Sequence, residues 1–427
     1  MLLTTEILLA MLLTLEIKRN KQLITPLTVI TGVYFVCFPL VNFWGHPAFE
    51  YNKVSGTTMG FTVAFLYMVF ISGFIFSLNV GKINAEDNKN RINDRLLEKR
   101  ELLFKVFVFT TICNLISFLQ IVAVYGINNV KSNAFGPFAH LGFIARCVLP
   151  LMVYYFYATK EKKYIIWSIF EILILVASQG KYHVYIPVMG AVLLIMLLGQ
   201  RIKYRRVIGI IIAVFLLSLL LFIGVYDIVP NFLNGERSIS TYIGGISFAV
   251  KHYLYYLFSP IIASNGYFTH PAYNGTSLGW RITLNPIDEL KEIAIGRCDF
   301  ISPAMTFRPV IDTAGTSTNV GGIFSETVFN VGYINTIIYI FAIGVLVYFF
   351  YYQLMVKNRF HITSIYLLSM FSLSFFCNFF SVFVNFECFC YCLLMDILLF
   401  NFNWLFRGKR ITFVRVGIPK FKIKVRL

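Results

Sequence analysis

Apolar positions along this chain neither alternate nor recur every three or four residues; they come as unbroken blocks of 16 or more residues with few charges. A helix that is apolar all round has no polar face to turn to water, so each block predicts a helix surrounded by lipid or by other helices. Eleven such runs lie near 2–17, 23–44, 58–80, 102–126, 138–159, 164–179, 184–200, 207–229, 330–355, 361–384 and 386–406. At 1.5 Å rise per residue each approaches or exceeds the ~30 Å of hydrocarbon in a bilayer. The fold class expected is an all-α polytopic membrane protein with about 11 transmembrane helices and one large outer loop that contains an interfacial helix. Residues 1–229 then hold helices one to eight, 230–319 the extracytoplasmic loop, 320–406 helices nine to eleven, and 407–427 a basic tail.

Composition sharpens this picture. Of 427 residues 58% are apolar and 13% charged, against roughly 25% charged in a water-soluble domain, which excludes a soluble enzyme. The charge balance of 37 Lys and Arg against 20 Asp and Glu gives +17, and such an excess can answer nucleic acid, anionic lipid or loops on one side of a membrane. Position decides for the last. Lys18, Arg19 and Lys21, six cations within 81–101, Lys160, Lys162 and Lys163, Arg201, Lys203, Arg205 and Arg206, Lys357 and Arg359, and eight in the tail account for 26 of the 37. They fall in alternate gaps, so the tail belongs in the cytoplasm and the N-terminus outside, in agreement with an odd number of spans. Membrane lipids, and no nucleic acid, are the partners this charge implies. The first run is read as a retained span rather than a signal peptide, because its cations follow the apolar part and no small-residue cleavage site appears.

The segments assigned to the cytoplasm are too short to bury a core of their own. No Gly-rich loop ends in Gly-Lys-Ser or Gly-Lys-Thr, so no nucleotide drives the activity and no cofactor is expected. Seven of the eight cysteines lie in predicted spans, which implies no disulfide framework. The run Glu387, Cys388, Cys390 and Cys392 lacks a nearby histidine and reads as small apolar residues of a helix, with no metal site.

Chemistry in water belongs to 230–319, where turn signals such as Asn274-Gly275 and Asn285-Pro286 recur. Within it 239–263 is aromatic and apolar and predicts a helix lying in the membrane interface; a further span there would carry the basic tail outside. Ionisable groups at membrane depth are costly and mark sites. Arg146 sits in the middle of the fifth span, either touching substrate or pairing with a carboxylate such as Glu171. Lys181 and His183 lie in a tight outer turn between two short spans. The long loop adds Arg237, Lys251, His252, Arg281, Arg297 and Arg308, with Asp288, Glu289, Glu292, Asp299 and Asp312 as partners or bases. Glu326 enters the ninth span as a general base or as the counter-ion of one of these cations.

Two stretches and the span layout carry a resemblance. Ser178-Gln179-Gly180-Lys181, and Thr318-Asn319-Val320 followed by Gly321, Gly322, Phe324, Glu326 and Val331-Gly332-Tyr333, together with a large outer loop before the last three spans, are similar to the bacterial oligosaccharide repeat-unit polymerases, the O-antigen polymerase (Wzy-type) family. Lys181 stands where that family often has Arg, which replaces a bidentate clamp with a point charge. Gly321-Gly322 replaces bulkier residues. The resemblance implies a multi-pass glycosyltransferase of the cytoplasmic (inner) membrane, active in lipopolysaccharide or capsule biosynthesis. It would move a growing glycan from undecaprenyl pyrophosphate onto a fresh lipid-linked repeat unit at the outer face, with a chain-length regulator as a further candidate partner. Cations would replace a metal in stabilising the leaving pyrophosphate. Arg146, Lys181, His183, Arg237, Lys251, Arg281, Arg308 and Asn319 are the residues expected to bind pyrophosphate or glycan, and His252 or Glu326 the one to take the acceptor proton. An O-antigen ligase is the alternative within this chemistry. A transporter or flippase of lipid-linked sugars is the alternative outside it, and no pair of matching halves points that way.

Overall fold

The computed structural model describes residues 1–77, 85–126, 136–178, 181–199, 239–269, 276–297, 310–318 and 320–400, with a few isolated positions between 209 and 224. These residues are 86% helical, with no strands among them. In chain order the helices are α1 (Leu2–Asn20), α2 (Pro26–Phe49, with a π-turn over Val41–Gly45), α3 (Gly56–Ser77), α4 (Ala85–Glu98), α5 (Arg100–Tyr125), α6 (Pro137–Thr159), α7 (Lys162–Ala177), α8 (Lys181–Leu198), α9 (Ile239–Thr269), α10 (Thr276–Thr283), α11 (Asn285–Ala294), α12 (Gly322–Val331), α13 (Tyr333–Lys357), α14 (His361–Leu373) and α15 (Phe383–Phe400). Six of them, α2, α3, α5, α6, α13 and α15, are long and apolar enough to cross a membrane. Nine of the eleven apolar runs coincide with helices, the tenth does so only in its first half, and the eighth, 207–229, lies almost wholly outside the described residues.

The bundle has two chemically different ends. One, the basic end, gathers α4, Lys160, Lys162, Lys163 and Lys357. Here Glu16 of α1, inside an apolar run, accepts hydrogen bonds from Tyr348 (2.6 Å) and Asn20 (2.7 Å) and pairs with Arg19. The Arg19 guanidinium lies over the rings of Phe70 and Phe74, so α1 is tied to α3 and α13 by a compensated charge. Asp396 of α15 accepts from the backbone N–H groups of Ile362 (3.1 Å) and Thr363 (2.7 Å). It thereby satisfies two donors that the first turn of α14 cannot satisfy internally.

The opposite end is less regular. The tenth run predicts one helix over 361–384, but α14 stops at Leu373 after 13 residues, about 20 Å, and a largely buried stretch that holds only a short 3₁₀ turn, Phe379–Ser381, precedes α15. Irregular backbone at membrane depth persists only where protein covers it. Here α12 supplies the cover: all ten of its residues are buried, and the N–H groups of Gly322 and Ile323 donate to the carbonyls of Phe376 (3.1 Å) and Ser374 (2.8 Å). The ninth run, 330–355, is thus preceded by a separate short helix, divided from α13 at Gly332, whose φ of 83° suits a residue without Cβ.

Above this break lies α9, 31 residues in one helix, which extends the expected 239–263 segment to Thr269. Its Ser264 hydroxyl donates to Gly321 O at 3.1 Å, seating it on α12. The α10–α11 pair beside it has inverted polarity: Asp288 and Glu292 are buried while Ile287, Leu290 and Ile293 are exposed, an arrangement suited to a lipid surface.

The 310–318 segment is fastened to the α2–α3 loop by backbone hydrogen bonds and to α9 through Asp312. Its carboxylate accepts from Thr316 N–H (2.7 Å) and the Tyr255 hydroxyl of α9 (2.8 Å), and Asn52 N–H donates to Ile311 O at 2.9 Å. Burial pushes this carboxyl up, but hydrogen bonds from Thr316, Tyr255 and the Ala314 backbone outweigh it and hold it below its ordinary 3.8. A carboxyl depressed by folding stabilises the docked loop above its unfolded value and loses that contribution as pH falls through the folded one. Protease cleavage within 310–318 is therefore expected to stay slow from neutrality to about pH 4 and to rise in stronger acid. Asp312→Asn should be cleaved faster at neutral pH and show no such acid step. Identical cleavage profiles for the two proteins, measured with an acid-active protease, would refute the role of Asp312.

Candidate functional site

The side chain of Arg146 is the centre of the site. It lies on α6, is 7% exposed, and its Nε and Nη1 have no hydrogen-bond partner among the described residues. Side chains of a helix lean toward its N-terminus, and the guanidinium accordingly lies back over the Phe143 ring, 4.4 Å from its centroid. Around it stand Glu171 of α7, His183 of α8 and Cys388 of α15, all within electrostatic reach. Glu171 does not close an ion pair with Arg146. Its Oε1 accepts from Asn114 of α5 at 2.8 Å, and the Thr111 hydroxyl of the same helix lies beside the carboxylate. A buried guanidinium left with unpaired donors costs several kcal/mol; a polar ligand that engages those donors offsets this.

The level of α8 follows from its contact with α6. A Cβ placed on Gly190 would stand 3.0 Å from Pro150 and 2.8 Å from the Ser369 hydroxyl, so only glycine permits this approach. With α6 and α8 running in the same sense, that contact puts His183 level with Phe143. It also sets the start of α8 about 6 Å below the start of α6. The N-terminus of α8 therefore lies near the level of the Arg146 guanidinium, and the positive dipole end of a helix is suited to an anion. Lys181 is the first residue of α8.

Of the other expected site residues, His252 lies on α9, with its ring 5.1 Å from that of Tyr256; Lys251 precedes it on the same helix. The next residue, Tyr253, reaches Tyr185 of α8 electrostatically, so this part of α9 stands near the start of α8. Arg281 is engaged elsewhere: its Nε donates to Asp288 at 2.8 Å and its Nη2 to Glu292 at 3.4 Å, pinning α10 to α11. Glu326 is 8% exposed and meets backbone rather than a cation. Oε1 accepts from Gly321 N–H (3.2 Å) and Oε2 from Asn378 N–H (2.7 Å), and no ion pair to it is present among the described residues. Arg237, Arg308 and Asn319 lie outside the described residues, as does Asp299.

One pair escaped the sequence reading. His140 of α6 donates from Nδ1 to Glu387 Oε1 of α15 at 2.5 Å, and the Tyr391 hydroxyl donates to the same oxygen at 2.9 Å. Glu387 was visible as a carboxylate in an apolar run, a signal in itself, but its partner is 247 positions away. Among the described residues no cluster of His, Cys, Asp and Glu could hold a metal ion. Comparison with known protein families, with curated proteins and with solved structures finds no match to this chain.

Proposed function

We propose that this protein polymerises polyprenyl-pyrophosphate-linked oligosaccharide repeat units. In this reading the membrane is the cytoplasmic membrane, the basic end faces the cytoplasm and the opposite end the outer side, as the distribution of Lys and Arg favours. The observation that carries the reading is the Arg146 guanidinium, buried with donors that are unpaired among the described residues, near the N-terminus of α8, whose first residue is Lys181. A diphosphate ester is an anion with acceptor oxygens on several sides, and it suits planar N–H donors together with backbone N–H groups. The isoprenoid tail lies among the apolar helices while the glycan extends toward the end covered by α9.

The reaction follows from that placement. As the bond between the anomeric carbon and the pyrophosphate oxygen breaks, negative charge accumulates on the leaving group. Preorganised cations in a water-poor site stabilise that charge more than the ground state. The acceptor hydroxyl of a second lipid-linked repeat attacks the anomeric carbon and gives up its proton to a base at the same end.

Purified protein in liposomes, given a lipid-pyrophosphate-linked repeat unit, is expected to yield a ladder of glycans on lipid pyrophosphate while releasing free polyprenyl pyrophosphate. Transfer of glycan only to a different acceptor lipid would identify a ligase. Labelled lipid-linked sugar that crosses the bilayer without lengthening would identify a flippase, and either result overturns polymerisation.

A further inference from the structure

We infer that His140 is the base that accepts the proton of the attacking sugar hydroxyl, with Glu387 and Tyr391 as its positioning residues. The inference rests on the polymerase reading and adds a residue to it. Three observations converge. Among the described residues the imidazole is bound at one nitrogen only: Nδ1 donates to Glu387 Oε1 at 2.5 Å, which fixes the tautomer and leaves Nε2 as the lone-pair nitrogen. The carboxylate is itself held, since the Tyr391 hydroxyl donates to the same oxygen at 2.9 Å and Glu387 is 15% exposed against 53% for the His140 side chain. A half-exposed imidazole oriented by a sheltered carboxylate is the arrangement general-base catalysis uses.

The third observation is proximity to the leaving-group site. The His140 ring meets the edge of Phe143 at 5.8 Å between centroids, and the Arg146 guanidinium covers the same ring at 4.4 Å. One phenyl ring thus separates the base from the cation. Cys388, the neighbour of Glu387 in α15, is within electrostatic reach of Arg146, so both members of the dyad belong to the same end and side of α6. Glu326, by contrast, has both oxygens committed to backbone N–H groups.

The step balances without a further reactant. The acceptor O–H proton passes to His140 Nε2 as the acceptor oxygen bonds to the anomeric carbon. The bond from that carbon to the pyrophosphate oxygen breaks, and its electron pair stays on the phosphate beside Arg146. The imidazolium, stabilised by Glu387, then returns its proton to water.

The test uses the full-length protein in liposomes with the lipid-linked repeat unit. His140→Ala should lower kcat by about 10²- to 10⁴-fold with little change in KM, and added imidazole should restore part of the rate. Glu387→Gln should lower kcat at constant KM without rescue by imidazole, whereas Tyr391→Phe should fall between it and wild type. The thermal melt of His140→Ala should match wild type, because His140 is half exposed. Elongation by His140→Ala at the wild-type rate, or a loss that imidazole does not repair, overturns the assignment of the base alone. Wild-type protein that lengthens no glycan overturns both it and the polymerase reading.

Discussion

Arg146→Gln is expected to lower polymer formation by about 10²- to 10³-fold, the usual cost of removing one preorganised donor from a developing oxyanion. Arg146→Lys should recover only part of this, because a point charge cannot present two parallel N–H groups to a phosphate. A purely structural role for Arg146 makes a different prediction, since its neighbour Glu171 would then be its reason for being there. In that case Glu171→Gln, which leaves a buried guanidinium without a nearby countercharge, should be as damaging as Arg146→Gln. In the anion-site reading Glu171→Gln costs much less activity, because the Glu171 carboxylate makes its hydrogen bond to Asn114 and closes no ion pair with Arg146. The measurement is glycan elongation per folded molecule for the three variants. Equal losses for Arg146→Gln and Glu171→Gln would remove Arg146 from the substrate site.

How much of this was legible in the sequence depends on the range of the interaction. Apolar runs are local, and the helices α1 to α3, α5 to α8, α13 and α15 follow them closely. Arg146 was equally legible, because a cation amid apolar residues is conspicuous whatever its neighbours. The end of α14 was not: 374–382 is as apolar as the helices flanking it, and only the docking of α12, through the Phe376 and Ser374 carbonyls, makes a non-helical path affordable there. For the same reason Glu326 could be singled out but not interpreted, since its partners are backbone groups, which carry no signature in sequence. His140 illustrates the remaining limit. A histidine near the start of an apolar run is unremarked until a helix from the far end of the chain places Glu387 against it.

Glu326→Ala should destabilise the protein more than any other single change at this end of the bundle. The two backbone donors it satisfies, Gly321 N–H and Asn378 N–H, belong to the entrance of α12 and to the break after α14. Both lie among buried residues, so losing the acceptor leaves two unpaired N–H groups at roughly 1–3 kcal/mol each. The sum is a large part of the 5–15 kcal/mol typical of a folded domain. Glu326→Gln retains one carbonyl oxygen for one donor and turns an amide NH₂ toward the other, so it should lose stability to an intermediate degree. A general base at this position would separate the two properties: Glu326→Gln would then fold with little loss and be nearly inactive. For a latch between α12 and the α14–α15 break, melting temperature should fall in the order wild type, Gln, Ala, while elongation per folded molecule changes far less. Thermal melts in detergent together with elongation rates per folded molecule distinguish the cases, and a Gln variant that is stable yet inactive would refute the latch.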